Sequence, residues 1–142
     1  MAHWERSITI EATPARVWTV MSDVARWPEW TASIRSVEEV TPPGLGDGGT
    51  AVVDAVGAPR SKYTVTRWEP GHGFDWETKV RGVRTIGGHW VEPAGEGRSR
   101  VTLAIDVKGL AGTLFRPLLS RTMNRNLGME AEGLKRRSEE AA

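Results

Sequence analysis

The chain has 142 residues, which suits one domain over residues 1–142 that buries about two-thirds of its unfolded surface. It has 19 basic and 18 acidic residues and no cysteine, which excludes disulfides and thiolate metal sites and leaves no net field to attract nucleic acid. The first residues lack the apolar core of an export signal, and no run approaches about 18 apolar residues, so we expect a cytoplasmic protein without stable membrane insertion.

An alternating segment from Trp4 to Ala12 predicts a first strand with one buried face. Residues 14–30, the helical elbow, then predict two short helices. Pro14 suits a first helical turn, and Asp23 is expected to cap a second turn that ends at Pro28. The elbow holds three of the chain's seven tryptophans, which we expect to pack it against the sheet. These are Trp18, Trp27 and Trp30.

Six further segments, each bounded by Gly, Pro or Asp, predict strands. They are Ile34–Val40, Thr50–Val56, Arg60–Trp68, Gly73–Val80, Val83–Val91 and Arg100–Val107. The last is the clearest, because Val101, Leu103 and Ile105 alternate with polar neighbours, as in an antiparallel sheet with one solvated face.

The hydrophobic period changes to that of a helix between about Gly112 and Glu140. The predicted apolar stripe consists of Phe115, Leu119, Met123, Leu127, Ala131 and Leu134. Pro117 is expected in or near the first turn, where a missing N–H costs little. The opposite face is basic, which we interpret as complementing the helix dipole. A membrane-surface role requires a wider unburied apolar face and aromatic anchors, which this pattern does not provide.

The predicted order is one strand, two short helices, six strands and one long helix. The sheet and the long helix each have a single apolar face, so burial requires that they face each other. We therefore predict an α+β fold in which a curved, seven-stranded antiparallel sheet wraps around the C-terminal helix and leaves space between them.

Several segments also carry a family resemblance. They are Ile10–Pro14, Val17–Trp18, Ser22–Trp30, Val65–Pro70, Gly82–Pro93 and Glu130–Lys135. In these segments, and over essentially its whole length, the chain resembles the START-like SRPBCC superfamily of helix-grip proteins, which includes polyketide cyclases and dehydrases and lipid-transfer domains. The resemblance implies an elongated, mostly apolar cavity between the sheet and the C-terminal helix.

Polar and aromatic residues in the inward phase of the strands, where a dry core is not expected to hold them, are candidates to line that cavity. On the strands these are Tyr63, Arg67, Trp76 and His89, with Asp54 in or next to the inward phase. On the long helix they are Met123, Asn126, Leu127 and Glu130. The alternative for Asn126 and Glu130, which lie four residues apart at the edge of the stripe, is a solvated flank of the helix.

His89 is the first candidate for catalysis, because its ordinary pKa lies near neutrality and it can donate to a carbonyl or remove an acidic proton. Its structural alternatives are a histidine bonded to a neighbour, or one facing water if Gly87 and Gly88 form a bulge. Tyr63 is the second candidate, and its alternative is a core ring with a solvated hydroxyl.

Other motifs are uninformative or negative. Gly44–Gly49 matches G-x-G-x-x-G, but it lacks the strand before it and the helix after it that a dinucleotide site requires. We expect a flexible turn at the rim of the cavity. The three histidines show no ligand spacing, so we expect no metal and no cofactor.

Two functions follow from this pattern. In the first, the protein binds a small apolar molecule such as a lipid, polyketide or aromatic metabolite, as a monomer or homodimer. In the second, it is a cofactor-independent cyclase or dehydrase of the polyketide type, in which His89 and Tyr63 move protons or polarise a carbonyl.

Overall fold

The computed structural model describes residues 1–140, and its elements alternate as the hydrophobic periods predict. The strands are β1 (Ala2–Ile10), β2 (Ile34–Thr41), β3 (Thr50–Ala55), β4 (Ser61–Glu69), β5 (Gly73–Val80), β6 (Val83–Pro93) and β7 (Ser99–Val107). The helices are α1 (Pro14–Ser22), a 3-10 helix (Val24–Glu29) and α2 (Gly109–Glu139). The strands form one antiparallel sheet in the order β1-β7-β6-β5-β4-β3-β2, curved around α2.

The predicted order of elements and the α+β fold class are confirmed, and the differences lie at element ends. The first strand starts at Ala2 rather than Trp4, and α2 starts at Gly109 rather than Gly112. Pro117 therefore lies inside α2 and not near its first turn. Because proline has no N–H, the carbonyl of Thr113 loses its helical donor there.

The helical elbow packs against the sheet through aromatic rings, as predicted. The side chain of Thr13 caps α1 by accepting from the backbone N–H of Arg16 at 3.2 Å. Asp23 makes no capping hydrogen bond, contrary to expectation, and pairs with Arg26 at 3.5 Å instead. Pro28 lies inside the 3-10 helix and does not end it. Trp27, which is buried, anchors the elbow to the inner face of the sheet.

The apolar stripe of α2 is buried only along the C-terminal part of the helix. Met123, Leu127, Ala131 and Leu134 are buried, whereas Phe115 is largely exposed. The prediction that Phe115 belongs to the buried stripe was therefore wrong.

The glycine-rich turn does not form the rim of the cavity. Leu45 within it is buried, and the carbonyl of Gly49 accepts from the N–H of Val65 at 2.8 Å, so the turn folds onto β4. None of the residues 44–49 lines the cavity described below, which overturns that expectation.

Candidate functional site

A cavity of about 340 Å³ lies between α2 and the inner face of the sheet. This volume falls in the range of small-molecule sites, about 300–1,000 Å³. Its lining is predominantly apolar. The larger apolar lining residues are Trp27, Ile34, Val53, Trp76, Val80, Val83, Ile86, Leu103, Ile105, Val107, Leu119, Met123 and Leu127.

The cavity reaches solvent at one side. Its exposed lining residues are Gly57 and Pro59 in the β3–β4 loop and Arg81 in the β5–β6 turn, and they mark the opening. Leu119 of α2, which is partly buried, borders the same space. The mouth therefore lies between two strand connections and the N-terminal half of α2.

Tyr63 of β4 points into the cavity and packs on Trp76 of β5, with ring centroids 5.1 Å apart. Burial raises the pKa of the Tyr63 phenol above 10.0, the nearby charge of Glu130 raises it further, and an interaction with Ser61 opposes both. The hydroxyl therefore stays protonated near neutral pH and can donate a hydrogen bond to a guest molecule.

Arg67, predicted to share the inward phase of Tyr63, lies on the outer face of the sheet. The register between β4 and β5 shifts between Val65 and Arg67, which leaves Thr66 as a bulge. Because a one-residue shift reverses the side on which the following residues lie, Arg67 turns outward. Its guanidinium is 4.4 Å from the ring centroid of Trp90.

Asp54 is also absent from the cavity lining. Its carboxylate lies 3.3 Å from the guanidinium of Arg35, on the neighbouring strand β2. Asp54, placed in or next to the inward phase from the sequence, therefore does not line the cavity.

His89 of β6 faces the cavity and is buried. The pairing of β5 with β6 runs without a shift from Gly73 to Val80, so Gly87 and Gly88 form no bulge and His89 keeps the inward phase. A Cβ on Gly87 would come within 3.0 Å of the Trp76 indole nitrogen. Glycine at this position therefore leaves room for the Trp76 ring beside His89.

Aromatic rings surround the His89 imidazole on several sides. It stacks on Phe74 with centroids 4.5 Å apart and an interplanar angle of 22°. Trp27 lies 4.9 Å away and Trp76 meets it edge to face. These rings fix the orientation of the imidazole relative to α2.

Glu130 of α2 supplies the polar partner of His89. Its Oε1 atom lies 3.4 Å from His89 Nε2, and both side chains are buried. Within residues 1–140, His89 Nδ1 has no hydrogen-bond partner. A carboxylate in an apolar cavity requires a partner, and the imidazole is suited to share a proton with it. Glu130 is thus part of the cavity and not a solvated flank.

Asn126, one helical turn before Glu130, connects α2 to the mouth of the cavity. Its Nδ2 donates to the carbonyl of Val56 at 2.8 Å, whereas its buried Oδ1 has no partner among the described residues. Asn126 therefore holds the β3–β4 loop against the helix.

All the candidate residues except Arg67 and Asp54 line the cavity. Sequence reasoning did not nominate Trp27, Ser33, Ser61 and Thr78 as site residues, although they line it too. Ser61 and Thr78 lie two residues from Tyr63 and Trp76, so strand alternation was the available signal. Trp27 and Ser33 precede β2, where no periodicity indicates direction.

Residues 1–140 contain no group of three or more His, Cys, Asp or Glu side chains placed to hold a metal ion. In the same range, no helix combines the length and the apolar character needed to cross a bilayer.

A curved antiparallel sheet that closes on a long C-terminal helix around an apolar cavity defines the helix-grip class of proteins. The chain belongs to the family described as polyketide cyclase / dehydrase and lipid transport, which it matches over residues 1–139. The resemblance to polyketide cyclases and dehydrases, expected from the sequence, is confirmed at the level of this family.

Individual relatives agree with this assignment. An uncharacterized protein of Mycobacterium tuberculosis is 27% identical over 133 residues, which are 87% of this chain and 79% of that protein. The Zhui aromatase/cyclase from a Streptomyces species has a TM-score of 0.76 at 18% identity, over 96% of this chain and 93% of its own. A START superfamily protein from Mycobacterium smegmatis has a TM-score of 0.73 at 13% identity, over 98% of both chains. The likeness to these two structures concerns the fold alone.

Proposed function

We propose that this protein binds one small, mostly apolar molecule in the cavity between the sheet and α2. The observation that supports this most directly is a space of about 340 Å³ whose walls are predominantly aliphatic and aromatic. Burial of apolar ligand surface supplies affinity at about 25 cal/mol per Å². Lipids, polyketides and aromatic metabolites all have surfaces of this kind.

Three polar side chains among the apolar walls would orient the guest. The protonated hydroxyl of Tyr63 offers a donor, and the carboxylate of Glu130 and the amide of Asn126 offer acceptors. A ligand with a hydroxyl or carbonyl group on an apolar body satisfies these groups. A pure hydrocarbon would leave the buried Oδ1 atom of Asn126 without a partner, which is costly in an apolar site.

The binding proposal is tested by reducing the cavity from inside. Val53→Phe places a ring into the space, whereas Val52→Phe adds the same ring on the opposite face of β3. Titration with the apolar fluorophore anilinonaphthalene sulfonate should show affinity at least about tenfold weaker for V53F than for wild type, because the ring displaces apolar contact area. V52F should bind as wild type does.

Native mass spectrometry of the purified protein, before and after mild organic extraction, would identify a retained small molecule. If V53F and V52F bind the fluorophore equally well and no small molecule is retained, the cavity is not the binding site and the proposal is wrong.

A second candidate function is cyclisation or dehydration of a polyketone, and the buried His89–Glu130 pair favours it. A general base requires a group that orients it, and Glu130 is placed for that role. His89 would remove a proton from the carbon between two carbonyls while Tyr63 donates a hydrogen bond to the carbonyl oxygen. The resulting carbanion attacks a second carbonyl carbon of the chain and closes a ring, and that carbonyl oxygen takes up the proton to become a hydroxyl. For dehydration, the first carbon gives up its remaining proton, the hydroxyl leaves with it as water, and a carbon–carbon double bond forms.

The catalytic candidate is tested by separating binding from turnover. His89→Ala and Glu130→Gln should retain the fold and uptake of the fluorophore but lose on the order of a hundredfold in turnover of a polyketone. The controls are His72→Ala and Glu132→Gln, at exposed positions. If His89→Ala turns over the polyketone at the wild-type rate, the acid–base role is wrong while the binding proposal stands.

A further inference from the structure

The N-terminal half of α2 presents an apolar row to solvent. Leu110, Leu114 and Leu118 are 87%, 72% and 77% exposed, and Phe115 beside them is 47% exposed. Leucines at i, i+4 and i+8 lie on one face of a helix and span about 12 Å along its axis. An exposed apolar patch of this kind marks an interaction surface.

The charge around this row has one sign. From Gly109 to Met129, α2 contains three arginines and no carboxylate. These arginines, with Lys108 just before the helix, Lys79 near the end of β5 and Arg81 in the β5–β6 turn, form no ion pair within the part of the chain that the structure describes. The arginines of the helix are Arg116, Arg121 and Arg125, and all three are exposed.

From this combination we infer that the N-terminal half of α2 docks on an anionic lipid bilayer, with the leucine row in the interface and the cations at the headgroups. Helices that lie in a membrane interface combine an apolar row with flanking basic residues in this way. The sequence pattern, in which Phe115 belongs to the buried stripe, provides no wide apolar face and no aromatic anchor. In the structure Phe115 is exposed beside the three leucines, so the exposed apolar face is wider than that pattern predicts and includes an aromatic ring. Docking requires no helix that crosses the membrane. It is also independent of what the cavity binds, although the mouth beside Leu119 and Arg81 would then face the lipid.

A second copy of the chain is a poorer fit to the same surface. A two-fold interface places equivalent patches against each other. The unpaired arginines of both copies would then meet like charges, which costs free energy in an interface. An anionic surface instead neutralises them.

The test measures co-sedimentation with vesicles of phosphatidylcholine mixed with phosphatidylglycerol, and with vesicles of phosphatidylcholine alone. We expect binding to the anionic vesicles that weakens as salt is added. Arg121→Gln/Arg125→Gln should bind about 10- to 30-fold more weakly. The matched control, Arg98→Gln/Arg100→Gln, removes the same number of charges at the start of β7, outside the basic part of α2, and should bind as wild type does.

The apolar contribution is tested with Leu114→Ser/Leu118→Ser, which should weaken binding by about tenfold or more. Since the chain has no cysteine, Leu118→Cys can carry a single environment-sensitive fluorophore. Its emission should shift to the blue on anionic vesicles, whereas a label on Thr64→Cys, on the outer face of the sheet, should not shift.

The inference is overturned by any of three results: no binding to anionic vesicles, equal binding to both kinds of vesicle, or unchanged binding of the leucine variant. Analytical ultracentrifugation adds a fourth. A wild-type dimer that Leu114→Ser/Leu118→Ser converts to monomer would show that a second copy covers this face.

Discussion

The close contact between α2 and the helical elbow predicts that one added methyl group, in Gly133→Ala, strongly lowers the stability of the fold. A Cβ on Gly133 would lie 1.9 Å from the backbone oxygen of Trp30 and 2.9 Å from its backbone carbon. The neighbour is backbone, so Gly133→Ala forces α2 to retreat by about 1 Å to reach even 3.0 Å. Arg136, which donates to the same carbonyl at 3.1 Å, would be displaced with it.

The magnitude follows from two opposing contributions to the free energy of unfolding. Replacing a helical glycine by alanine stabilises a helix by about 1 kcal/mol. Overpacking against a rigid neighbour costs about 3 kcal/mol at the upper end of its usual range. We therefore expect Gly133→Ala to lower the free energy of unfolding by about 2 kcal/mol or more, and the Tm by about 5–10 °C.

Gly128, in the same helix, is the matched control. Its added Cβ would meet only the Arg6 side chain, at 3.4 Å, so Gly128→Ala should raise stability by about 0.5–1 kcal/mol. Urea denaturation followed by tryptophan fluorescence measures both variants, with an unchanged m-value as the check that both unfold in two states. If Gly133→Ala is as stable as the wild type, α2 does not press on Trp30 and the packing argument is wrong.

Three further predictions concern titration and the core. The pKa of Tyr63, the only tyrosine, is raised in the fold by burial and by Glu130. An absorbance titration should therefore give a midpoint above 10.0, and Glu130→Gln should lower that midpoint. An unchanged midpoint in Glu130→Gln would mean that the carboxylate does not act on the phenol. Because this raised pKa favours the protonated phenol in the fold, its contribution to stability is complete below the unfolded value and is lost as pH rises through the folded one. The hydrogen bond between His3 and Asp106, at 2.6 Å, raises the pKa of His3 above 6.5. The difference in the free energy of unfolding between wild type and His3→Gln should therefore be largest below pH 6.5 and shrink as pH rises, and it should stay under about 1 kcal/mol because the site is solvated. A difference that grows with pH would contradict this. Leu134→Ala, at a fully buried position, should lower the free energy of unfolding by about 2–5 kcal/mol, measured by urea denaturation. A loss below about 1 kcal/mol would mean that Leu134 is not tightly packed in the core.

The site could be predicted in part because strand alternation assigns faces. Tyr63 and Trp76 face the cavity as their phases indicate, and their rings pack on each other across β4 and β5. Arg67 could not be placed, because the bulge at Thr66 has no proline or glycine to announce it. The two glycines before His89, which suggested a bulge, form none: Gly87 makes room for the Trp76 ring, and Gly88 lies beside Asp75 on the other face.

The order of the elements and the apolar face of each strand were determined by the sequence itself, because a hydrophobic period of two or of about 3.6 residues is a local property of the chain. The tertiary structure alone decided which residues meet. His89 and Glu130 come together only because α2 crosses β6 at one particular height and angle. The same packing buries Met123 and leaves Leu118 exposed, because these two residues lie on different sides of the helix and only one side meets the sheet.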